Sequence, residues 1–196
     1  MVKKRKKDEV DFSQLPACEG YIVIDPKKCC GCQTCMMACS LAHGGKINTK
    51  IARIQVMQDP YEHYPNDIDV APCRQCVYPE CLAACPVPDA IFVDTGNGNV
   101  RRVDESKCIG CQLCVTACPF IPSSIVWNFE EGVAQKCDLC IDTPHWDEKG
   151  GFGGKQACVD VCPMDAIELT REIPTQIGDT GYKVNLRKEG WPLDRG

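Results

Sequence analysis

Residues 108–119 read CIGCQLCVTACP, which places four cysteines within eleven residues at the spacing Cys-x2-Cys-x2-Cys-x3-Cys, with a proline after the last. Three more quartets accompany this run, so that sixteen of the 18 cysteines in the chain belong to a quartet. The spacing of residues 108–118 is one by which thiolates hold cubane iron–sulfur clusters. We therefore predict four [4Fe–4S] clusters and sixteen iron ligands. The predicted ligands are Cys29, Cys32, Cys35, Cys39, Cys73, Cys76, Cys81, Cys85, Cys108, Cys111, Cys114, Cys118, Cys137, Cys140, Cys158 and Cys162.

The composition leaves little apolar material for a conventional core. The chain has 196 residues, only 7% of them aromatic, and the 44% counted as hydrophobic includes the cysteines. Clusters would therefore replace part of the core, and metal binding would supply folding free energy. We expect the metal-free chain to be unfolded or molten.

The N-terminal residues and the charge indicate a compartment and exclude some partners. The basic run at residues 3–7 resembles the start of an export signal, but Asp8 and Glu9 follow where an apolar stretch should begin. No stretch approaches the ~18 consecutive apolar residues of a membrane span. We expect a reducing, cytoplasmic location, which argues against disulfides. Since the net charge is −5 and no basic stripe appears elsewhere, a nucleic-acid partner is not expected.

The sequence repeats itself internally. Residues 24–32 correspond to residues 103–111, and residues 85–91 correspond to residues 162–167. This pattern predicts a duplicated unit. Residues 90–93 and 100–103 flank Asn97 and Gly98, which predicts a β-hairpin between the second and third quartets.

Two further segments are predicted to be loops. Residues 57–72 are rich in Pro, Asp and Tyr and are predicted to form a surface loop. The glycine-rich residues 150–154, inside the fourth quartet, predict a flexible loop.

Nothing in the quartets indicates catalysis by the chain itself. Four complete quartets leave no open iron position for a substrate, and three histidines provide little general-base capacity. We therefore predict a non-catalytic protein that passes electrons. Structural zinc is the main alternative, because Cys-x2-Cys pairs also bind zinc. Zinc sites usually combine two separated pairs, whereas two of these quartets each lie within eleven residues, which favours clusters.

Five other residues near the quartets have open roles. Cys18 and Cys30 are out of step with the spacing, and neither is predicted to be a ligand. His43 either donates a hydrogen bond to a cluster sulfur or is an ordinary turn histidine. Lys28 and Lys107, each directly before the first cysteine of a quartet, either favour a reduced cluster electrostatically or are simply solvated.

The arrangement of residues 22–170, including the stretched fourth quartet, resembles the iron–sulfur subunits of molybdenum and tungsten bis-pyranopterin oxidoreductases. The resemblance implies an irregular, cluster-stabilised α+β fold of short helices and β-hairpins around four cubanes, organised as two nested bacterial-ferredoxin-like modules. It implies an outer module of residues 18–60 plus 125–170 and an inner module of residues 61–124. A disordered basic tail at residues 1–17 and a partner-docking tail at residues 171–196 complete the expected organisation. One departure is that Cys39 is followed by Ser40, where the other quartets have proline.

In two-cluster ferredoxins the cysteine before proline crosses over to the other cluster. The resemblance therefore implies four groups of ligands, each with three cysteines from one quartet and one from another. The implied inner groups are Cys73, Cys76, Cys81 with Cys118, and Cys108, Cys111, Cys114 with Cys85. The implied outer groups are Cys29, Cys32, Cys35 with Cys162, and Cys137, Cys140, Cys158 with Cys39.

Residues 39–48 and 52–56 resemble the small subunits of tungsten enzymes of the aldehyde:ferredoxin oxidoreductase type, which include class II benzoyl-CoA reductase. This implies an electron-transfer subunit that serves a large catalytic tungsten- or molybdenum-pterin subunit in an anaerobe. A further redox subunit or a ferredoxin would complete the electron path. A free polyferredoxin, or a subunit of a hydrogenase or carbon monoxide dehydrogenase system, is the alternative.

Overall fold

The structure is a computed structural model, and it describes residues 10–64 and 67–174. The predicted tails fall largely outside these ranges, because residues 1–9 and 175–196 are not among those described. No helix in the described ranges is both long enough and apolar enough to cross a bilayer.

Short helices and short strands make up the described part of the chain. The helices are α1 (Thr34–Gly44), α2 (Glu80–Ala84), α3 (Leu113–Ala117) and α4 (Ala157–Asp160). The strands are β1 (Tyr21–Ile24), β2 (Ile54–Gln58), β3 (Ile68–Pro72), β4 (Ile91–Asp94), β5 (Val100–Val103), β6 (Ile125–Asn128), β7 (Val133–Lys136) and β8 (Ile167–Thr170). This is a mixed fold of few helices and small hairpins.

The eight strands form four antiparallel pairs. Three pairs are sequential hairpins, β2 with β3, β4 with β5 and β6 with β7. The fourth pair joins β1 to β8, so that strands from the two ends of the described chain enclose the rest. The predicted hairpin between the second and third quartets is confirmed, since β4 and β5 pair with Ile91 opposite Val103.

The internal repeat has a structural counterpart. Ile24 lies opposite Ile167 in the β1–β8 pair, just as Val103 lies opposite Ile91 in the β5–β4 pair. The next bond is also repeated, because the N–H groups of Asp25 and Asp104 donate to the carbonyls of Ala166 and Ala90, both at 2.8 Å. The β1–β8 and β4–β5 pairs are thus copies of one unit. In β4–β5 the two strands follow each other in the chain, whereas β1 and β8 lie far apart in it.

Left-handed backbone residues recur at matching positions of the repeat. Gly31 and Gly110 have φ of 69° and 74°, and Gln33 and Gln112, which precede α1 and α3, have φ of 60° and 57°. Glycine adopts this conformation without strain, whereas glutamine does so only when the surroundings fix it. The cysteine loops therefore wrap in the same way at both positions.

Residues 57–72 differ from the sequence prediction. They were predicted to be a surface loop, but residues 57–58 complete β2 and Ile68–Pro72 form β3. Ile68 and Val70 are buried, and they pack in the core beside Ile54. The prediction was wrong for these residues because cross-strand pairing and burial outweighed the turn-forming composition.

Two main apolar cores hold the hairpins around the cysteines, and a small third one joins Ala42 and Ala157 to Cys140. The larger contains residues of β1, β2, β3 and β8, with Tyr21, Ile22 and Leu139 almost fully buried. The smaller packs Leu82 and Ile91 against β6 and β7. Quartet cysteines are members of both cores, so the proposed ligands are part of the packing rather than appended to it.

Candidate metal centres

The cysteines are all free thiols, and Cys32 and Cys111 are the only quartet members that are exposed. The last cysteine of a quartet is carried by a helix or lies at its end. Cys39 lies in α1, whereas Cys85 and Cys118 directly follow α2 and α3. The third cysteine of each quartet lies within the same helix, so the helix sets the relation between the third cysteine and the last.

Three cavities are each lined by four cysteines, of which three come from one quartet and one from another. The Cys76 cavity is lined by Cys73, Cys76, Cys81 and Cys118. The Cys111 cavity is lined by Cys85, Cys108, Cys111 and Cys114. The Cys140 cavity is lined by Cys39, Cys137, Cys140 and Cys158.

The remaining four quartet cysteines, Cys29, Cys32, Cys35 and Cys162, are neighbours in the structure, and we refer to them as the Cys32 group. Burial raises the pKa of Cys35 to about 12, and the other three thiols act in the same direction. Burial also raises the pKa of Cys29, to which Cys162 and Cys32 contribute. The four thiols are thus close enough to repel one another when ionised.

In the three cavities too, neighbouring thiols lie close enough to raise one another's pKa. Burial raises the pKa of Cys76, Cys114 and Cys140 to about 12 in each case, and neighbouring thiols contribute. Without a cation these thiols would stay protonated at neutral pH. A bound metal group compensates the gathered negative charge and displaces the protons.

Backbone N–H groups point at several quartet sulfur atoms. Four such donors lie 3.3–3.4 Å from a sulfur: Arg53 to Cys39, Ser124 to Cys118, Ala157 to Cys140, and Ala166 to Cys162. Cluster-bound thiolates accept hydrogen bonds of this kind, and these bonds influence the reduction potential.

The residues present fit an iron–sulfur cluster. Each set provides four soft thiolate donors, the ligand type that such clusters take. Within the described ranges, no three His, Cys, Asp or Glu side chains converge on a point that would hold one metal ion. The thiols surround cavities instead, which suits a polynuclear group better than a single tetrahedral zinc ion.

Asp138 organises the polar surroundings of the Cys140 cavity. This buried carboxylate accepts hydrogen bonds from His43 Nε2 and from the N–H of Cys140, both at 3.0 Å, and pairs with Arg53 Nη1 at 3.0 Å. Burial raises the pKa of Asp138, but the bond from His43 and the charge of Arg53 outweigh it and lower the pKa to about 2. The carboxylate therefore holds the cysteine loop through fixed, ionised contacts.

His43 lies within hydrogen-bonding distance of a cysteine sulfur, as one of its two predicted roles required. Its Nδ1 lies 2.8 Å from the carbonyl oxygen of Cys39 and 3.7 Å from Cys39 Sγ. Burial lowers the pKa of His43, but the bond to Asp138 and the contact with Cys39 raise it to about 9. His43 is therefore a buried, doubly hydrogen-bonded side chain and not a turn residue in solvent.

Sequence reasoning missed three buried polar residues beside the quartets. The backbone N–H of Arg53 donates to the sulfur of Cys39, and its side chain pairs with Glu105, with 2.9 Å between Nη2 and Oε1. Gln75 donates to the carbonyl of Cys137 and accepts from the N–H of Arg101, both at 2.8 Å. Lys136 lines the Cys76 cavity. For Lys136 the sequence carried a signal, because this residue, like Lys28 and Lys107, directly precedes the first cysteine of a quartet.

A family model described as "4Fe-4S dicluster domain" matches residues 66–172. The chain belongs to this family. The thiosulfate reductase electron transfer subunit PhsB of Salmonella typhi is 34% identical over 157 residues, which cover 77% of this chain and 76% of that protein. The polyferredoxin-like subunit of the aliphatic sulfonate oxidoreductase of Pyrococcus furiosus is 37% identical over 142 residues, covering 72% and 70%.

A solved structure is also similar to this member of the 4Fe-4S dicluster family. A chain of the active site complex BamBC of benzoyl-coenzyme A reductase, solved with benzoyl-CoA, is 23% identical and covers 77% of this chain and 78% of its own. The TM-score is 0.42, so we draw no conclusion from that likeness.

The family and these relatives confirm the predicted resemblance to iron–sulfur electron-transfer subunits of oxidoreductases. The dicluster description also supports 4Fe–4S clusters as the cofactor class.

Shared packing and electrostatic contacts between neighbouring thiols link the four sets in one order, which we call the single file. Cys158 of the Cys140 cavity interacts electrostatically with Cys35 of the Cys32 group. Cys137 of the same cavity interacts with Cys73 of the Cys76 cavity. Cys114 of the Cys111 cavity interacts with Cys81 of the Cys76 cavity. The order along the protein is thus the Cys32 group, the Cys140 cavity, the Cys76 cavity and the Cys111 cavity.

Both ends of this file reach the surface. Cys32 at one end and Cys111 at the other are exposed. Ile109 and Leu113, which flank Cys111 in the sequence, are 59% and 47% exposed. Met164, two residues after Cys162, is 46% exposed at the opposite end. The two terminal sets therefore lie where a partner can approach them.

Proposed function

We propose that the sixteen quartet cysteines hold four [4Fe–4S] clusters and that the chain relays electrons between a large catalytic subunit and a second redox partner. The observation that carries this proposal is the single file of four thiol sets with an exposed cysteine at each end. Electron exchange between proteins requires such a route from one surface to another. A bound [4Fe–4S] cluster supplies one-electron chemistry, with a potential that its surroundings set.

The ligand groups of the proposal are those implied by the crossing rule. They are supported by the cysteine content of the three cavities and by the neighbours of Cys35 and Cys29. The repeat gives independent support, because β4–β5 and β8–β1 stand in the same relation to their quartets. We therefore also propose two nested modules, an outer one of residues 18–60 plus 125–170 and an inner one of residues 61–124.

The chain's own residues have defined tasks in this relay. The thiols bind iron, the backbone N–H groups donate to sulfur, and the apolar cores pack against cysteines of all four sets. We propose that the chain is not itself catalytic, because every set has its full complement of four cysteines. The reaction then takes place in the partner.

The partner we propose is a catalytic tungsten- or molybdenum-pterin subunit, in an anaerobic cytoplasm. The support is the resemblance of residues 39–48 and 52–56 to small subunits of tungsten enzymes, together with relatives named as subunits of oxidoreductases. Eighteen free thiols are compatible with a reducing compartment. A C-terminal docking segment at residues 171–196 remains part of the proposal.

A free polyferredoxin is the second candidate, and the exposed cysteines at both ends favour it equally. An anaerobic pull-down of the chain from its native cell, with Fe, W and Mo measured in the eluate, separates the two. About 16 Fe per chain with a large co-eluting subunit that carries W or Mo supports the docked subunit. The same iron without a large partner supports the free carrier, and iron with a partner lacking both metals contradicts the pterin proposal.

A further inference from the structure

Lys136 is the last residue of β7 and directly precedes Cys137, yet its side chain lies with a different set of thiols. It lines the Cys76 cavity together with Cys73 and Cys81. The residue is only 3% exposed. A buried ammonium group needs a counter-charge, and here sulfur atoms, including those of Cys73 and Cys81, surround it.

Other cations stand beside the same cavity. Arg74 is 4% exposed and lines it, with its guanidinium 4.1 Å from the centre of the Phe120 ring. Arg101 is fully buried and interacts electrostatically with Cys76 and Cys73. Half-buried Glu80 is the acidic side chain among the described lining residues. Among the described residues, Lys136 and Arg101 thus place two buried cations beside this cavity, against the single carboxylate of Glu80.

The other sets of thiols lack this excess. Lys28, the cation directly before the Cys32 group, is exposed, so solvent screens its charge. Within the part of the chain that the structure describes, no charged side chain lines the Cys111 cavity. In the Cys140 cavity, His43 and Arg53 are both paired with Asp138. Reduction adds a negative charge to a cluster, so a buried cation that lies against the cluster's own thiolates and has no carboxylate partner among the described residues favours the reduced state.

We propose that Lys136 gives the cluster of the Cys76 cavity the highest reduction potential in the chain, and that the cluster of the Cys111 cavity has a lower one. This inference rests on the proposed function, because it requires clusters held by the quartet cysteines. The Cys76 cavity lies between the Cys140 and Cys111 cavities in the single file. An electron that enters from either end is then held in the interior, away from both exposed ends.

The test is an EPR-monitored redox titration of the full-length chain, loaded anaerobically with iron and sulfide, for wild type, Lys136→Met, Lys136→Arg and Lys107→Met. Methionine keeps the length of the side chain and removes the charge. In Lys136→Met, the reduced-to-oxidised ratio of one cluster should fall about tenfold or more at fixed ambient potential, a downward shift of about 59 mV or more for a one-electron couple. Lys136→Arg keeps the charge, so the reduction potential of this cluster should stay close to its wild-type value.

Lys107 is the matched control, because it also directly precedes a quartet but is exposed and pairs with Asp104 at 2.9 Å. Lys107→Met should leave all potentials unchanged. A fully loaded Lys136→Met variant with wild-type potentials, or an equal shift in Lys107→Met, would overturn the proposal.

Two ligand variants keep the proposal testable if Lys136→Met does not load iron. Cys76→Ser should alter the signal of highest potential, and Cys111→Ser should leave that signal in place. The proposal is wrong if Cys111→Ser alters the highest-potential signal and Cys76→Ser does not. A wild-type chain that carries far less than about 16 Fe would refute the proposed function instead, and it would do so before any variant is compared.

Discussion

Alanine at Gly150 is expected to displace the loop of the fourth quartet and to remove one cluster. A Cβ atom at this position would lie 1.7 Å from the carbonyl oxygen of Cys140 and 2.3 Å from its carbonyl carbon. Non-bonded heavy atoms of this kind normally stay about 3.5 Å apart. The two backbone segments would have to separate by well over an ångström.

Neither segment can yield easily. The N–H of Gly151 donates to the carbonyl of Leu139 at 2.7 Å, and the N–H of Cys140 donates to Asp138 at 3.0 Å. The sulfur of Cys140 accepts from the N–H of Ala157 at 3.4 Å. Overpacking that a core can absorb costs about 1–3 kcal/mol. Here the clash is with backbone, so we expect about 4 kcal/mol, in the range reserved for severe changes.

Iron content and melting temperature, both measured anaerobically on the loaded chain, provide the assay. Gly150→Ala should lower the iron from about 16 to about 12 per chain or less, because Cys140 is a proposed ligand of one cluster. Gly153→Ala is the matched control, since a Cβ there meets nothing within 4 Å. It should keep the iron and change the stability by no more than about 0.5 kcal/mol. A Gly150→Ala chain with full iron and an unchanged melting temperature would refute the predicted clash.

Three further substitutions test the polar contacts. Asp138→Asn should lower the melting temperature by about 4–8 °C. The reason is that a carboxyl whose pKa is lowered to about 2 stabilises the folded state by about 2 kcal/mol at neutral pH. Asp142→Asn makes the same chemical change at an exposed position and should shift the melting temperature little. Gln75→Leu leaves a buried N–H and a buried carbonyl without their partner and should cost about 2–4 kcal/mol, whereas exposed Gln58→Leu should be nearly neutral. Cys18→Ser should retain the wild-type iron content, because a serine hydroxyl can replace the thiol that donates to the carbonyl of Gly20 at 3.1 Å. Loss of the iron of one cluster would show that Cys18 is a ligand.

Much of the local structure could be predicted from the sequence because cysteine spacing and turn residues act over short distances. The hairpin of β4 and β5 follows from two apolar runs around Asn97 and Gly98. The repeat predicted equivalent loops, and left-handed residues do recur at Gln33 and Gln112. Each of these features depends on fewer than about twenty neighbouring residues.

The remaining features depend on contacts between distant parts of the chain. The pairing of β1 with β8 joins Ile24 to Ile167. Its signal in the sequence is indirect, because only the internal repeat relates these two residues to the hairpin partners Val103 and Ile91. The glycine-rich segment was predicted to be flexible, but Gly150 lies against Cys140 and the side chain of Gln156 donates to the carbonyl of Gly151 at 2.8 Å. Close backbone approach, and not mobility, explains glycine at position 150.

Several buried or half-buried polar residues outside the quartets link the surroundings of the Cys140 and Cys76 cavities. Gln75 connects the second quartet to the carbonyl of Cys137, and Lys136 reaches from beside Cys137 to Cys73. Arg53 donates from its backbone N–H to the sulfur of Cys39 and from its side chain to Glu105 of the proposed inner module. Within either proposed module, a strand pair and crossing cysteines already bind the two sets together. Between the modules the β2–β3 pair is present, but no cysteine crosses in the proposed grouping, so hydrogen bonds and charges help to fix the separation on which electron transfer depends. Substitutions at this junction should therefore slow the relay while leaving most of the iron in place, whereas changes inside a module should remove the iron itself.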